Sequence, residues 1–188
     1  GFLDAGGGDD IDFLSYHWFP DVPYQVAGPE KLRRLRESLA RHGCDRPIWL
    51  TETYRLTWPA DPHGEASQIR FLSRELVEVL ADPAVERVYW YGWLDYPDSL
   101  RRDPNEAHRG IVRSDHSPKA ALSMLPWVIA HTNGRAVDIS TRAVQAWRFS
   151  LPGQPVSVIA WSRTASQEPL RIPAATGTTA DVTYFPEP

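Results

Sequence analysis

The stretch Arg46-Pro47-Ile48-Trp49-Leu50-Thr51-Glu52-Thr53 is a short apolar run, opened by proline and closed by a carboxylate. Strands buried on both faces read as such continuous runs. The last inward side chain of a strand of this kind sits at the mouth of a sheet or barrel, where α/β enzymes carry their reactive groups. A carboxylate in that place can act as a nucleophile or move a proton. Glu52 is therefore the residue around which any chemistry should be sought.

Other chemistries find less support. The six histidines (17, 42, 63, 108, 116 and 131) are scattered, and none pairs with another at the i, i+4 spacing of a helix-borne zinc motif. Cys44 is the only cysteine, so it has no partner for an internal disulfide and no second thiolate for zinc. Gly6-Gly7-Gly8 lacks the G-x-G-x-x-G spacing of a nucleotide loop, and Asp9-Asp10 would repel phosphate. No cofactor and no metal are expected. The net charge is −4, from 20 basic and 24 acidic residues spread along 188, which gives no basic stripe for nucleic acid. No run approaches the ~20 apolar residues of a membrane span. Partners should be neutral molecules. Eight tryptophans exceed an ordinary composition, and stacking on sugar rings and plain core packing both explain such enrichment.

The elements that must position Glu52 follow from periodicity. Ile11–Phe19 reads as a strand, after which Pro29 opens a helix with Leu32, Leu35 and Leu39 on one face and Gly43 as its stop. Residues 47–52 form the second strand. A long polar loop leads to Ser67, a candidate N-cap for a helix whose stripe is Ile69, Leu72, Leu76, Val79 and Leu80. Val85–Leu94 is the third strand. Ser117 and Pro118 should cap and open a further helix carrying Ala121, Leu122, Leu125, Val128 and Ile129 up to Gly134. Three tandem strand-helix units imply parallel strands, since each helix is a crossover. Beyond Gly134 the period falls to two. Val144–Phe149 and Pro155–Trp161 flank Pro152-Gly153, which suits the centre of a type II turn, and Leu170–Ile172 and Val182–Phe185 read as further short strands. The division expected is 1–134 and 135–188.

Three stretches, Asp12-Phe13-Leu14-Ser15-Tyr16-His17-Trp18, Pro47 to Thr53, and Val88-Tyr89-Trp90-Tyr91-Gly92-Trp93-Leu94-Asp95 with the trailing Gly110-Ile111-Val112 and Ser117-Pro118-Lys119-Ala120-Ala121-Leu122, together resemble strands six, seven and eight of the clan A retaining glycoside hydrolases. The resemblance covers residues 10–132. It implies the C-terminal part of a TIM (β/α)8 barrel, and the β region after it is similar to the antiparallel β-sandwich that follows the barrel in β-xylosidase and iduronidase-like members.

By this resemblance Glu52 is the nucleophile of a double displacement on O-glycosidic bonds, and the substrate is a glycoside, an oligosaccharide or a polysaccharide. Strand alternation then puts Ile48 and Leu50 in the barrel interior with Glu52 above them on the same face. His17 or Tyr16, ending strand six, would orient the nucleophile or bind a sugar hydroxyl, and His17 is preferred for its parity with Phe13 and Ser15. Trp90 would form the floor of the sugar site, with Trp93, of opposite parity, as a helix-facing core residue or a second substrate contact. Trp58, His63, Asp98, Arg102 and Glu106 lie in loops on the substrate side.

Retaining hydrolysis needs a second carboxyl about 5 Å from the first. Its counterpart in the clan follows an asparagine at the end of strand four, which has no equivalent here. Asn105-Glu106 lies after the eighth strand and is not that residue. A whole barrel takes about 250 residues, and a half barrel leaves sheet edges open. The expectation is thus a fragment that lacks the N-terminal part of its barrel and is inactive alone. The alternative is a non-catalytic, carbohydrate-binding pseudoenzyme of the same fold.

Overall fold

The computed structural model describes residues 1–19, 28–57, 64–97, 107–164, 171–172 and 181. Trp58, His63, Asp98, Arg102 and Glu106, and the strand expected at 182–185, lie outside them.

Three strands, β1 (Leu14–Trp18), β2 (Ile48–Thr53) and β3 (Val85–Trp90), form a parallel sheet in the order β1-β2-β3. The crossover from β1 to β2 is helix α1 (Gly28–Arg41), which buries Leu32 and Leu39 and gives way to Gly43 in the left-handed region at φ 65°. The crossover from β2 to β3 is a helical run of three parts, α2 (Gly64–Arg70), a π-helical turn (Phe71–Glu75) and α3 (Leu76–Leu80). It starts before Ser67, so that residue is not the cap; its hydroxyl instead accepts from Arg55 Nε at 3.0 Å. The π turn inserts a residue and rotates the apolar stripe. Phe71, Leu72, Leu76, Val77 and Val79 are buried, while Ile69 and Leu80 only flank the core.

The third strand stops at Trp90, four residues earlier than its apolar run suggests, because Gly92 at φ 85° turns the chain. Leu94 then bridges Val112 in parallel and Val112 bridges Pro118. That pairing also delays the last helix, α4 (Ala121–His131). Residues 117–119 are extended against 111–113 rather than capping a helix, and α4 buries Ala121, Met124 and Val128 while Ile129 is exposed.

Strands β4 (Arg135–Asp138), β5 (Val144–Ser150) and β6 (Ser157–Ser162) make an antiparallel meander. Periodicity missed β4, which opens the expected second unit. Gly134, at φ 88°, feeds it; a Cβ there would strike the carbonyl of Ser150. Between β5 and β6, Gln154 N donates to Leu151 O at 3.0 Å and Gly153 has φ 78°, the type II turn expected of Pro152-Gly153. Phe149 and Ile159 join the same core as the helices, and β6 meets α4. Among the described residues this sheet packs on helices; Arg171 and Ile172 carry no strand, so no second sheet of a sandwich is seen there.

Candidate functional site

Register decides which side chains share a face, because residues paired across neighbouring strands point the same way. Leu14, Ile48 and Val85 form one row, Ser15, Trp49 and Arg87 the next, and Tyr16, Leu50 and Val88 the third. Ile48 and Leu50 are fully buried in the core with Leu32, Phe71 and Leu72, so the first and third rows face the helices. The second faces away. There Phe13 stacks on Trp49 with centroids 3.8 Å apart, the Arg87 guanidinium lies 4.6 Å over the same ring, and Tyr89 flanks it at 6.3 Å.

Plain alternation would send Glu52 to the helix side with Ile48 and Leu50. It goes the other way, which corrects that expectation. The partners step from Tyr16–Leu50 to His17–Glu52 on one side and from Leu50–Val88 to Thr53–Trp90 on the other, so β2 carries one residue more than either neighbour. This β-bulge absorbs Thr51, whose hydroxyl bonds to Ser15 Oγ at 2.8 Å. Bulges re-aim side chains and gather next to active sites. Beyond it Thr53 is again fully buried, between Trp18 and Trp90 in the last helix-facing row.

Glu52 and His17 therefore stand together on the open face at the C-terminal ends of the strands. His17 Nδ1 is 3.5 Å from Glu52 Oε2, and their side chains are 48% and 30% exposed. His17 also meets the ring of Phe19 edge-on at 5.7 Å, and Phe19, Tyr54 and Tyr91 continue as an aromatic arc along the strand ends. Arg109 lies over both tyrosines, at 4.5 and 5.1 Å from their centroids. Sequence reading passed over Arg109, which sits in a loop without a motif.

Tyr16 and Trp90 are not at this face. Tyr16 packs toward α1, with Lys31 Nζ 4.8 Å from its ring centroid. Trp90 packs edge-on against Phe71 at 6.1 Å and donates from Nε1 to Arg109 O at 3.2 Å. It is a helix-layer residue because Val88 and Trp90 alternate in step with Leu50, which itself faces the helices. Trp93 has the converse fate: past the Gly92 turn it is 62% exposed, not a core residue.

A second polar cluster lies behind the rim. Lys119 Nζ, almost fully buried, donates to both oxygens of Asp95 at 2.9 and 2.7 Å and to Thr57 Oγ1 at 2.5 Å. Burial pulls the Lys119 pKa below its ordinary value, against the opposing pull of Asp95. The Pro-Lys-Ala stretch had marked this lysine only as part of a resemblance.

Parallel strands with helical crossovers on one face and an acid-bearing rim at their C-terminal ends define an α/β fold. The solved structures it is similar to include a family 39 glycoside hydrolase from the gut symbiont Bacteroides cellulosilyticus WH2, with a TM-score of 0.62 and 22% identity over 87% of this chain and 36% of that one. A family 39 β-xylosidase from Caulobacter crescentus gives a TM-score of 0.56 and 19% identity over 84% of this chain and 34% of its own. A GH2 β-galacturonidase from Eisenbergiella tayi, bound to galacturonate, gives 0.53 and 21% over 63% and 23%. The chain thus spans about a third of the length of the family 39 structures. No protein-family model and no curated protein matches the sequence.

Proposed function

We propose that this chain is the C-terminal part, strands six to eight, of the barrel of a retaining glycoside hydrolase, with Glu52 as its nucleophile. The observation that carries the reading is the His17–Glu52 pair, 3.5 Å apart on the face away from the helices, at the C-terminal ends of three parallel strands. That end of a barrel is where reactive groups collect. The glycosidase-like fold of the neighbours supports it.

In this reading Glu52 attacks the anomeric carbon, forming a glycosyl-enzyme ester as the glycosidic C–O bond breaks. A second carboxyl, about 5 Å away and supplied by a part of the barrel outside this sequence, protonates the departing oxygen and then deprotonates the water that cleaves the ester. The anomeric configuration is retained. His17 holds the Glu52 carboxylate in line, and Trp93 offers its exposed ring to the sugar.

The test uses a polypeptide carrying the whole barrel. Glu52→Ala should lower turnover of an aryl glycoside by about 10³-fold or more, as loss of a nucleophile does. A mechanism-based fluoroglycoside should label Glu52. Normal turnover in the variant, or a label on another carboxylate, overturns the assignment.

A further inference from the structure

Phe149 and Ile159 bring the C-terminal meander onto the helix layer, yet the two do not close on each other everywhere. Between α1, the end of α3 and the meander, a cleft of about 460 Å3 stays open. Small-molecule sites have volumes of that order, mostly apolar walls and a few polar groups that converge.

The walls follow from strand alternation. Gln145, Trp147 and Phe149 share one face of β5, and across the ladder Ala136 and Asp138 pair with Phe149 and Trp147. Phe149 is buried in the shared core, so this is the face turned toward the helices. Ala136 and Trp147 thus line the cleft from the meander, and Leu32 of α1 and Ala81 after α3 line it from the helices.

Its polar groups are not equally provided for. Arg36 and Asp82 hold each other, with Nη1 and Oδ2 3.2 Å apart, and Asp82 also accepts from Ala84 N at 2.9 Å. Gln145 accepts from Arg163. Glu78 also lines the cleft and is half-buried, and among the described residues its side chain has no ion pair and no hydrogen bond. The charges that act on it are the carboxylates of Glu75 and Asp138 and one guanidinium, that of Arg163, which Gln145 already engages. Burial and then the two like charges push the Glu78 pKa up.

This lining selects among ligands. An anion would meet an excess of carboxylates, since Asp82 occupies the Arg36 guanidinium. A metal ion needs several oxygen donors, and among the described residues no three His, Cys, Asp or Glu side chains gather to hold one. What Glu78 lacks is a cation that can donate hydrogen bonds, and what the apolar walls lack is a body to cover them. We infer that this cleft is a binding site for a small primary amine, its ammonium on the Glu78 carboxylate and its apolar body against Leu32, Ala81 and Trp147. The inference does not rest on the glycosidase reading.

NMR of the 188-residue chain tests it with benzylamine at pH 7. The Trp147 indole N–H resonance, assigned by its loss in Trp147→Phe, should shift saturably at millimolar amine in the parent chain. Benzyl alcohol has nearly the same body without the charge, and it should bind about tenfold more weakly or not at all. Glu78→Gln keeps the shape of the side chain and mimics its neutral form, so it stays folded, and it should weaken benzylamine about tenfold. Ala136→Leu keeps the charge but fills the cleft from the meander, and it should abolish the saturable shift. Cooperative melting is checked in both variants, and Glu78→Gln decides alone if Ala136→Leu does not fold. An absent or unsaturable shift in the parent, equal affinity for benzyl alcohol, or unchanged binding in either folded variant overturns the site.

Discussion

His17 and Glu52 are register partners on adjacent parallel strands, with Nδ1 and Oε2 3.5 Å apart on the face away from the helices. One side chain can therefore set the rotamer of the other without help from a loop. In a polypeptide carrying the whole barrel, His17→Phe should lower turnover of an aryl glycoside by about 10²-fold, the lower range for a group that assists proton movement or alignment. Unchanged turnover would separate His17 from the chemistry.

The bulge makes a sharper demand. Deleting Thr51 removes the extra residue and leaves Leu50, Glu52 and Thr53 in plain alternation, so Glu52 keeps the open face and Thr53 its buried place. The loss should be confined to the Thr51–Ser15 hydrogen bond, about 1 kcal/mol. Chemical denaturation should show a shift of that size. A loss of about 3 kcal/mol or more would mean that the deletion buries the Glu52 carboxylate and that Thr51 is not the surplus residue.

The two tryptophans after the bulge should separate stability from binding. Trp90→Ala removes a ring packed on Phe71 and should cost about 3 kcal/mol. Trp93→Ala touches a ring 62% exposed and should stay within about 0.5 kcal/mol of the parent. Thermal melts of the two variants decide it, and the opposite order would place Trp93 in the core.

Glu78 offers a test by pH. Burial raises its pKa, reinforced by Glu75 and Asp138 and opposed by Arg163. A carboxyl whose folded pKa is raised contributes stability that is complete below its unfolded value near 4.5 and is lost as pH climbs through the raised value. Glu78→Gln mimics the neutral form. The variant should melt above the parent at pH 7, with the difference closing below pH 4.5. A constant offset across that range would rule out titration as its cause.

The strand-helix order was legible because each element follows one period, and the Pro152-Gly153 turn because only glycine accepts φ 78° cheaply. Glu52 was legible as the end of an apolar run. The facing of that run was not. Ile48 and Leu50 are as apolar as a barrel lining would be, and nothing within 47–53 tells helix side from barrel side; the neighbours' ladders do, and they also reveal the extra residue at Thr51. Trp90 was misplaced for the same reason, since it alternates with Leu50. The core alternative for Trp93 failed because parity was counted through Gly92, where the chain turns. Lys119 gave no sign of its burial, because the groups that accept its hydrogen bonds arrive from residues 57, 95 and 108, distant in sequence.

Phe149 and Ile159 from the C-terminal meander share one apolar interior with Phe71, Met124 and Val128. Severing the backbone at Asn133 would therefore not release a separate module: the two pieces would stay clamped by the oily seam between them. Heat should melt them together, in a single endotherm.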